Sequence, residues 1–131
     1  MAETDLSKMF ADFTITPMDG VWQMVSQRLG LVAKVSYFTK RQRAKMQIQE
    51  REGLTLVLRA DGKTPQDNRW SWIEISVYSD LHAVGFLARI AAALASAGVP
   101  CNAFAGFNHD HILVPEDKRE IAVKTLNGLK N

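Results

Sequence analysis

The clearest pattern of hydrophobic and polar positions lies in the second half of the chain. Residues 70–78 alternate between apolar and polar side chains, as in a half-buried antiparallel strand. Apolar residues then recur at helical spacing from about residue 81 to residue 97. Ser79 and Asp80 are suitable N-caps for this helix, and Gly98 is a suitable stop. The segment therefore predicts a strand followed by a helix.

The same half continues with two shorter strands and a second helix. Alternation over residues 99–107 and 109–114 predicts a strand pair joined by a turn, and Pro115 is suited to the first position of a helix. The order is then strand, helix, strand, strand, helix. A ferredoxin-like βαββαβ unit needs one more strand, from the first half or from a neighbouring subunit. Residues 53–58 are a candidate for it.

The first half is less regular. It predicts a short helix capped by Thr4 and a hairpin over residues 13–26. Residues 27–52 are the least predictable part: residues 34–38 could form a strand, and residues 40–52 show no clear apolar period. A loop of turn-forming residues at 60–68 is the best internal boundary in the chain.

Composition narrows the class of protein. The chain has 131 residues, of which 47% are hydrophobic, and a net charge of +2. These values indicate one globular domain or two small ones, exclude a multi-domain enzyme, and give no bulk electrostatic reason to expect a nucleic acid. The single cysteine, Cys101, allows no intramolecular disulfide and fits a cytoplasmic setting. Residues 1–20 lack the pattern of a signal peptide, and residues 81–100 fit a buried helix better than a membrane span.

Two local clusters allow other functions. On a strand, His109 and His111 share one face while Asp110 points to the other, so the histidines could begin a zinc site of a small hydrolase. A satisfied, half-buried pair is the favoured interpretation, because the ligand set is incomplete. The basic run Lys40–Lys45 could bind nucleic acid, although a solvated surface is the favoured interpretation. No glycine-rich phosphate-binding motif is present, and we expect no cofactor and no metal.

The turn before the first predicted helix of the second half is the most interesting binding feature. Ser79, Asp80 and Leu81 fall where a helix N-terminus leaves backbone N–H groups free, which is suited to a carboxylate such as that of an amino acid. Simple helix capping by these residues is the alternative, and on the residues alone it is favoured.

The segments Ser79–Leu87, Ala97–Asn102 and Phe107–Pro115 resemble the small ACT-domain proteins that contain two modules. Glu52–Leu58 also resembles the strand that closes the first module of these proteins. In that family the corresponding patterns read like Ser-Ser-Leu-Glu-Ala-Val-Gly, a small residue followed by Gly-Ile-Ser-Ala-Asn, and Tyr-Tyr-His-Asp-His-Ile-Phe-Val-Pro. The third segment is also similar to the final module of the cytosolic arginine sensors of animals. The resemblance covers Glu52 to Leu129, with a gap over the loop.

The resemblance implies an α+β protein of two ferredoxin-like ACT modules, the first abbreviated and irregular. We expect the N-terminal module at residues 1–62, a linker at 63–68 and the C-terminal module at 69–131. It also implies a non-catalytic, regulatory protein that binds a small molecule, typically an amino acid, and forms a dimer. No nucleic acid and no membrane are expected as partners.

In this family the ligand lies at a module interface, between the turn ahead of the first helix and the start of the second strand. Matched by position, the turn and the strand start supply eight residues, and Asp110 matches an acid of the arginine sensors. The ligand-binding residues implied by the resemblance are therefore Ser79, Asp80, Leu81, His82, Gly85, Pro100, Cys101, Asn102 and Asp110.

Overall fold

The computed structural model describes residues 5–28, 43–77 and 81–130. The predicted site residues Ser79 and Asp80, the expected cap Thr4 and residues 40–42 of the basic run lie outside the described residues. In chain order the elements are α1 (Leu6–Asp12), β1 (Thr14–Pro17), β2 (Trp22–Gln27), β3 (Met46–Gln49), β4 (Leu54–Arg59), β5 (Trp70–Ser76), α2 (Phe86–Ser96), β6 (Asn102–Ala105), β7 (Asp110–Pro115) and α3 (Arg119–Asn127), with 3-10 turns at Gln66–Asn68 and Glu116–Lys118.

The chain divides into two compact units, which we call the acidic unit and the basic unit. The acidic unit contains the described residues up to Asp19 and those from Ser71 onward, and the basic unit is Gly20–Trp70. The names follow from the sequence: the acidic unit has a net charge of −4 and the basic unit one of +6. The expected first module at residues 1–62 therefore differs from the observed units at its N-terminal end.

The acidic unit has the predicted order of strand, helix, strand, strand, helix from β5 to α3. Its sheet runs β5-β7-β6, and β1 pairs antiparallel with β5, with Ile15 opposite Ile75. The fourth strand is thus β1, and the expectation that residues 53–58 supply it was wrong. Those residues form β4, which pairs with β2 and β3 in the basic unit.

The N-terminal segment joins the acidic unit because α1 carries part of its core. The Asp5 side chain caps α1 by accepting hydrogen bonds from the backbone N–H groups of Ser7 and Lys8. Met9 and Phe10 are buried, and the Phe10 ring lies 5.0 Å from that of Phe86. This packing holds β1, which follows directly, beside β5. The predicted hairpin over residues 13–26 was wrong, because β1 pairs with β5 whereas β2 pairs with β4.

Helix α2 begins later than predicted. Its first residue is Phe86, and its N-cap is Gly85, whose φ of +96° lies in the left-handed region. Only glycine adopts this conformation without strain, so the backbone at Gly85 defines the start of the helix. Residues 81–85 form a turn before it, although the sequence placed them in the helix.

The core of the acidic unit lies on the helical side of its sheet. Helix α3 begins at Arg119, after the 3-10 turn, whereas the sequence placed its start at Pro115. Burying one apolar side chain in this core stabilises the fold by about 1.5–3 kcal/mol relative to leaving it exposed. The buried residues of this core are Met9, Phe10, Phe13, Ile73, Ile75, Phe86, Ile90, Leu94, Val99, Ile112, Val114, Ala122 and Leu126.

The basic unit contains an antiparallel sheet in the order β3-β4-β2. Leu54, Leu56 and Leu58 share one face of β4 and form a buried cluster, as their alternation predicted. On the other face Trp22 is buried between two cations: the Arg59 guanidinium lies 4.5 Å and the Lys45 ammonium 5.4 Å from its ring. None of the described helices is long and apolar enough to cross a membrane.

Candidate functional site

A cavity of about 210 Å³ opens in the acidic unit where β5 and β6 end and β7 begins. We call it the Asp110 cavity. Side chains from the helical face of the unit form its apolar wall: Met9, Ile75, Val77, Ala83, Phe86 and Leu87. The turn between β6 and β7 forms the opposite wall and brings polar atoms to it. Leu81 lies at the opening and is exposed.

Asp110 points into this cavity because of its place on β7. Side chains alternate along a strand, so Asp110 shares the helical face with Ile112 and Val114, both buried in the core. Burial raises the pKa of the Asp110 carboxyl, and the charge of His111 opposes this shift. Among the described lining residues, Asp110 is the only acid. A half-buried carboxylate of this kind gains from a cationic partner.

The turn that carries Asp110 depends on a glycine. Ala105 pairs with Asp110 at the end of the hairpin, and the Gly106 N–H donates to the His109 carbonyl at 2.9 Å. A Cβ atom at Gly106 would lie 2.7 Å from that carbonyl oxygen and 3.3 Å from His111 Nε2. A larger residue would therefore displace the wall of the cavity.

Sequence reasoning missed most of the cavity lining. The turn residues Gly106, Phe107 and Asn108 were predicted only as a strand end and a turn, although they line the cavity. Met9 gave no signal as a site residue, since its neighbours in the cavity lie between 66 and 101 residues away along the chain. A turn immediately before an acid on a strand is the one local sign that could have indicated the site.

The structure brings together only part of the predicted site. Leu81 and Asp110 both line the Asp110 cavity, and Gly85 directly precedes its lining residue Phe86. His82 lies in the same turn and is exposed.

The other predicted residues, Pro100, Cys101 and Asn102, lie at the opposite end of β6. Asn102 pairs with Leu113, whereas Ala105 pairs with Asp110. Three residues of strand, about 10 Å, therefore separate the start of β6 from the cavity within one chain.

Cys101 is half-buried against the core of the acidic unit. Burial raises the pKa of its thiol, so the group is protonated at neutral pH. A nucleophilic cysteine requires the thiolate. The observed environment fits a structural thiol.

His111 lies on the opposite face of β7 from Asp110, whereas His109 precedes β7 and is one of the residues that line the Asp110 cavity. Trp72 Nε1 donates to His111 Nδ1 at 3.1 Å, and His109 Nδ1 lies 3.0 Å from Ser76 Oγ. Their ring centroids are 6.4 Å apart, and Glu74 Oε1 lies 3.9 Å from His109 Nε2. Within residues 5–28, 43–77 and 81–130, no group of three or more His, Cys, Asp or Glu side chains is arranged to hold a metal ion.

Comparisons with known proteins agree with this fold. The ACT-domain family model matches residues 69–128. A Vibrio cholerae protein of unknown function, named as a possible transport protein, is 30% identical, with 96% of each chain covered and a TM-score of 0.78. A search of the curated proteins found no match.

Two more distant structures show the same fold. The allosteric aspartate kinase of Clostridium acetobutylicum has a TM-score of 0.67 at 15% identity, covering 89% of this chain and 34% of that enzyme. The ligand-free regulatory subunit of aspartate kinase from Thermus thermophilus has a TM-score of 0.62 at 11% identity, covering 89% and 97%. The family match and the observed fold together show that residues 69–128 of this chain are an ACT domain, and ACT domains are regulatory ligand-binding domains.

Proposed function

We propose that the protein binds a free amino acid, or a similar small zwitterion, in the Asp110 cavity and performs no chemistry on it. The observation that carries this proposal is a half-buried carboxylate, with its pKa raised by burial, in a cavity of about 210 Å³. An apolar cavity of about 150 Å³ is large enough to bind benzene. The Asp110 cavity therefore has room for a small organic molecule.

The two charges of a zwitterion have candidate partners at this site. Asp110 would receive the ammonium, which offsets the cost of burying the carboxylate. Helix α2 spans 11 residues and begins at Phe86, which lines the cavity, and among the described residues no side chain caps its first N–H groups. Those N–H groups and the positive end of the helix dipole would receive the ligand carboxylate.

A second copy of the chain would complete the site. Among the described strands β6 is the last in the sheet order, so its outer edge offers backbone groups that no described strand pairs. Antiparallel pairing of two β6 strands would place the start of one strand beside the end of the other. Pro100, Cys101 and Asn102 of the partner subunit would then approach the Asp110 cavity, as the predicted site at a module interface requires.

A ligand that stabilises this pairing would give the protein a regulatory role. Binding favours whichever arrangement offers the ligand more contacts, so a shared site links ligand concentration to assembly. The aspartate kinase regulatory domains with the same fold support a regulatory role. The proposal includes a cytoplasmic setting, in which the lone Cys101 remains reduced.

A thermal-shift screen of the full chain with each of the twenty amino acids tests the proposal. At 100 times its Kd, a ligand adds about 2.7 kcal/mol to the free energy of unfolding. We expect Asp110→Asn to abolish the shift and Asp117→Asn, at an exposed position of the 3-10 turn, to keep it. A shift that Asp110→Asn leaves unchanged would refute the site, and a silent screen would refute the function.

Light scattering tests the pairing of two copies. We expect a dimer at micromolar concentration, and a mass that stays at 14.6 kDa with and without ligand would contradict the shared site.

Charge favours polyanion binding, for example of RNA, as a second candidate function. The basic unit holds ten Lys and Arg residues against four Asp and Glu residues. Buried Trp22 offers no stacking surface for bases, so this candidate depends on charge alone. Salt-dependent RNA binding that disappears when Arg41, Arg43 and Lys45 are replaced by Gln would establish it.

A further inference from the structure

We infer that the ligand is an amino acid with an uncharged apolar side chain of three or four non-hydrogen atoms. Valine, leucine, isoleucine and methionine form this class. The inference rests on the proposed function and concerns the selectivity of the Asp110 cavity. Three observations carry it: the distribution of apolar and polar groups in the lining, the single described acid, and the volume.

The lining has two chemically different walls. Met9, Ile75, Val77, Ala83, Phe86 and Leu87 present an apolar surface from the sheet and the helices. The opposite wall is the turn before Asp110, which contains Gly106, Asn108 and His109. A ligand that fits both walls has a polar head and an apolar tail. An amino acid held by its head at Asp110 directs its side chain to the apolar wall.

A charged side chain would be a poor match for the apolar wall. Among the described lining residues Asp110 is the only acid and none is Lys or Arg, while the ring of His109 lies within hydrogen-bond distance of Ser76 and near Glu74. If Asp110 pairs with the ligand ammonium, a further charge on the ligand would be buried without a partner, which disfavours binding. An apolar tail instead gains about four-fold in affinity for each buried methylene.

The volume favours a short tail. A cavity of about 150 Å³ holds benzene, which has six non-hydrogen atoms. In proportion, the 210 Å³ of the Asp110 cavity holds a ligand of roughly eight such atoms. Valine has eight and the other three have nine, whereas phenylalanine and arginine have twelve. Leucine, isoleucine and methionine exceed this size by one atom, which the opening beside exposed Leu81 can accommodate. Phenylalanine and arginine exceed it by four atoms, which is a poorer fit.

The competing arrangement places a guanidinium on Asp110. An arginine bound in this way would direct its zwitterionic head to the mouth of the cavity and leave the apolar wall in contact with methylenes only. The two arrangements differ in which ligand nitrogen pairs with Asp110, and ligand analogues can distinguish them.

Isothermal titration calorimetry on the full chain with leucine, arginine, 4-methylpentanoate and isoamylamine is the test. We expect leucine to bind at least ten-fold more tightly than arginine. Removing either the ammonium (4-methylpentanoate) or the carboxylate (isoamylamine) from leucine should weaken binding at least ten-fold. Tighter binding of arginine would overturn the inference and leave the proposed function intact. Absence of binding by every amino acid would overturn both.

Two substitutions test the wall directly. Ala83→Leu should fill the cavity and weaken leucine binding at least ten-fold, whereas Ala88→Leu, at an exposed position of α2, should leave the affinity unchanged. Leu87→Ala should enlarge the cavity and improve the affinity for phenylalanine relative to leucine. Equal effects of Ala83→Leu and Ala88→Leu would overturn the inference. If Ala83→Leu does not fold, Leu87→Ala and the analogue series still decide.

Discussion

The acidic and basic units use antiparallel sheets of the same kind but carry opposite charge. The basic unit has ten basic and four acidic residues, and the acidic unit has six basic and ten acidic residues. The whole-chain charge of +2 averages these values. The whole-chain charge gave no reason to expect a polyanion as a partner, although one unit is strongly basic. Net charge therefore indicates the class of partner only when it is counted for each unit separately.

The two units also place their charges differently. The acidic unit has one half-buried carboxylate, that of Asp110, in a cavity suited to a small ligand. The basic unit places Lys45 and Arg59 against the ring of Trp22, where cation–π contacts stabilise the sheet. The difference teaches that recognition of a small ligand depends on the position of a charge as well as on the number of charges.

The largest predicted effect is the same in both units despite their opposite charge. Leu94→Ala in α2 and Leu56→Ala in β4 each remove a fully buried side chain, and each should lower the free energy of unfolding by about 2–5 kcal/mol. Urea denaturation followed by circular dichroism measures it. Ile121→Ala and Ile48→Ala, at residues with 45% and 41% exposure, are the matched controls. A cost for Leu56→Ala no larger than for Ile48→Ala would mean that the basic unit lacks a packed core.

Substituting a glycine in each unit should have an intermediate effect. Gly53→Ala combines a φ of +147° with a Cβ only 2.3 Å from the Gln27 carbonyl oxygen, and should cost about 2–3 kcal/mol. Gly85→Ala has a φ of +96° but meets only Leu6 at 3.7 Å, so it should cost about 1 kcal/mol. Gly62→Ala, with open space around it, should be neutral or slightly stabilising. Thermal denaturation ranks the three, and any other order would contradict the described backbone.

We expect the Asp110 carboxyl to give the stability of the acidic unit a small dependence on pH. Because burial raises its pKa in the folded state, the stability it contributes is fully present below the unfolded-state pKa and is lost as the pH rises through the folded pKa. Asp110→Asn should therefore make the ligand-free protein slightly more stable at neutral pH and remove part of this decline. Melting temperatures of both proteins from pH 3 to pH 7 test it. Parallel profiles would show that Asp110 is not desolvated.

The smallest predicted effect on stability concerns the exposed turn. Phe107 is 86% exposed at the end of β6, so Phe107→Ser should change the free energy of unfolding by less than about 0.5 kcal/mol. The same change should weaken dimer formation if β6 pairs with β6 of a second copy. Analytical ultracentrifugation separates the two effects. Unaltered dimerisation would exclude Phe107 from the interface.

Local pattern predicted the acidic unit well where strands and helices face one core. The alternation over residues 70–78 and the apolar stripe of α2 both follow from burial on one side, and both are observed. The start of α2 was missed because Ser79 and Asp80 satisfy the cap preference, whereas the left-handed Gly85 determines the boundary. The preference of Ser and Asp for N-cap positions does not by itself identify the residue at which the helix begins.

Long-range pairing was the second source of error. β1 and β4 are both short apolar-alternating segments, so their sequences do not reveal that β1 pairs with β5. The decisive contribution is the burial of Met9 and Phe10 of α1, which depends on partners far along the chain. Asp110 could be named from the sequence because it belongs to a local segment. The apolar wall of the cavity could not, because its residues come from distant parts of the chain.

The central claim is that the acidic unit contains an amino-acid site at the Asp110 cavity. Titration of the ¹⁵N-labelled full chain with leucine, followed by amide chemical shifts, tests it most directly. We expect saturable shifts concentrated at residues 81–87 and 105–110, and their loss in Asp110→Asn. Saturable shifts concentrated in Gly20–Trp70, or shifts in the cavity that Asp110→Asn leaves unchanged, would contradict it.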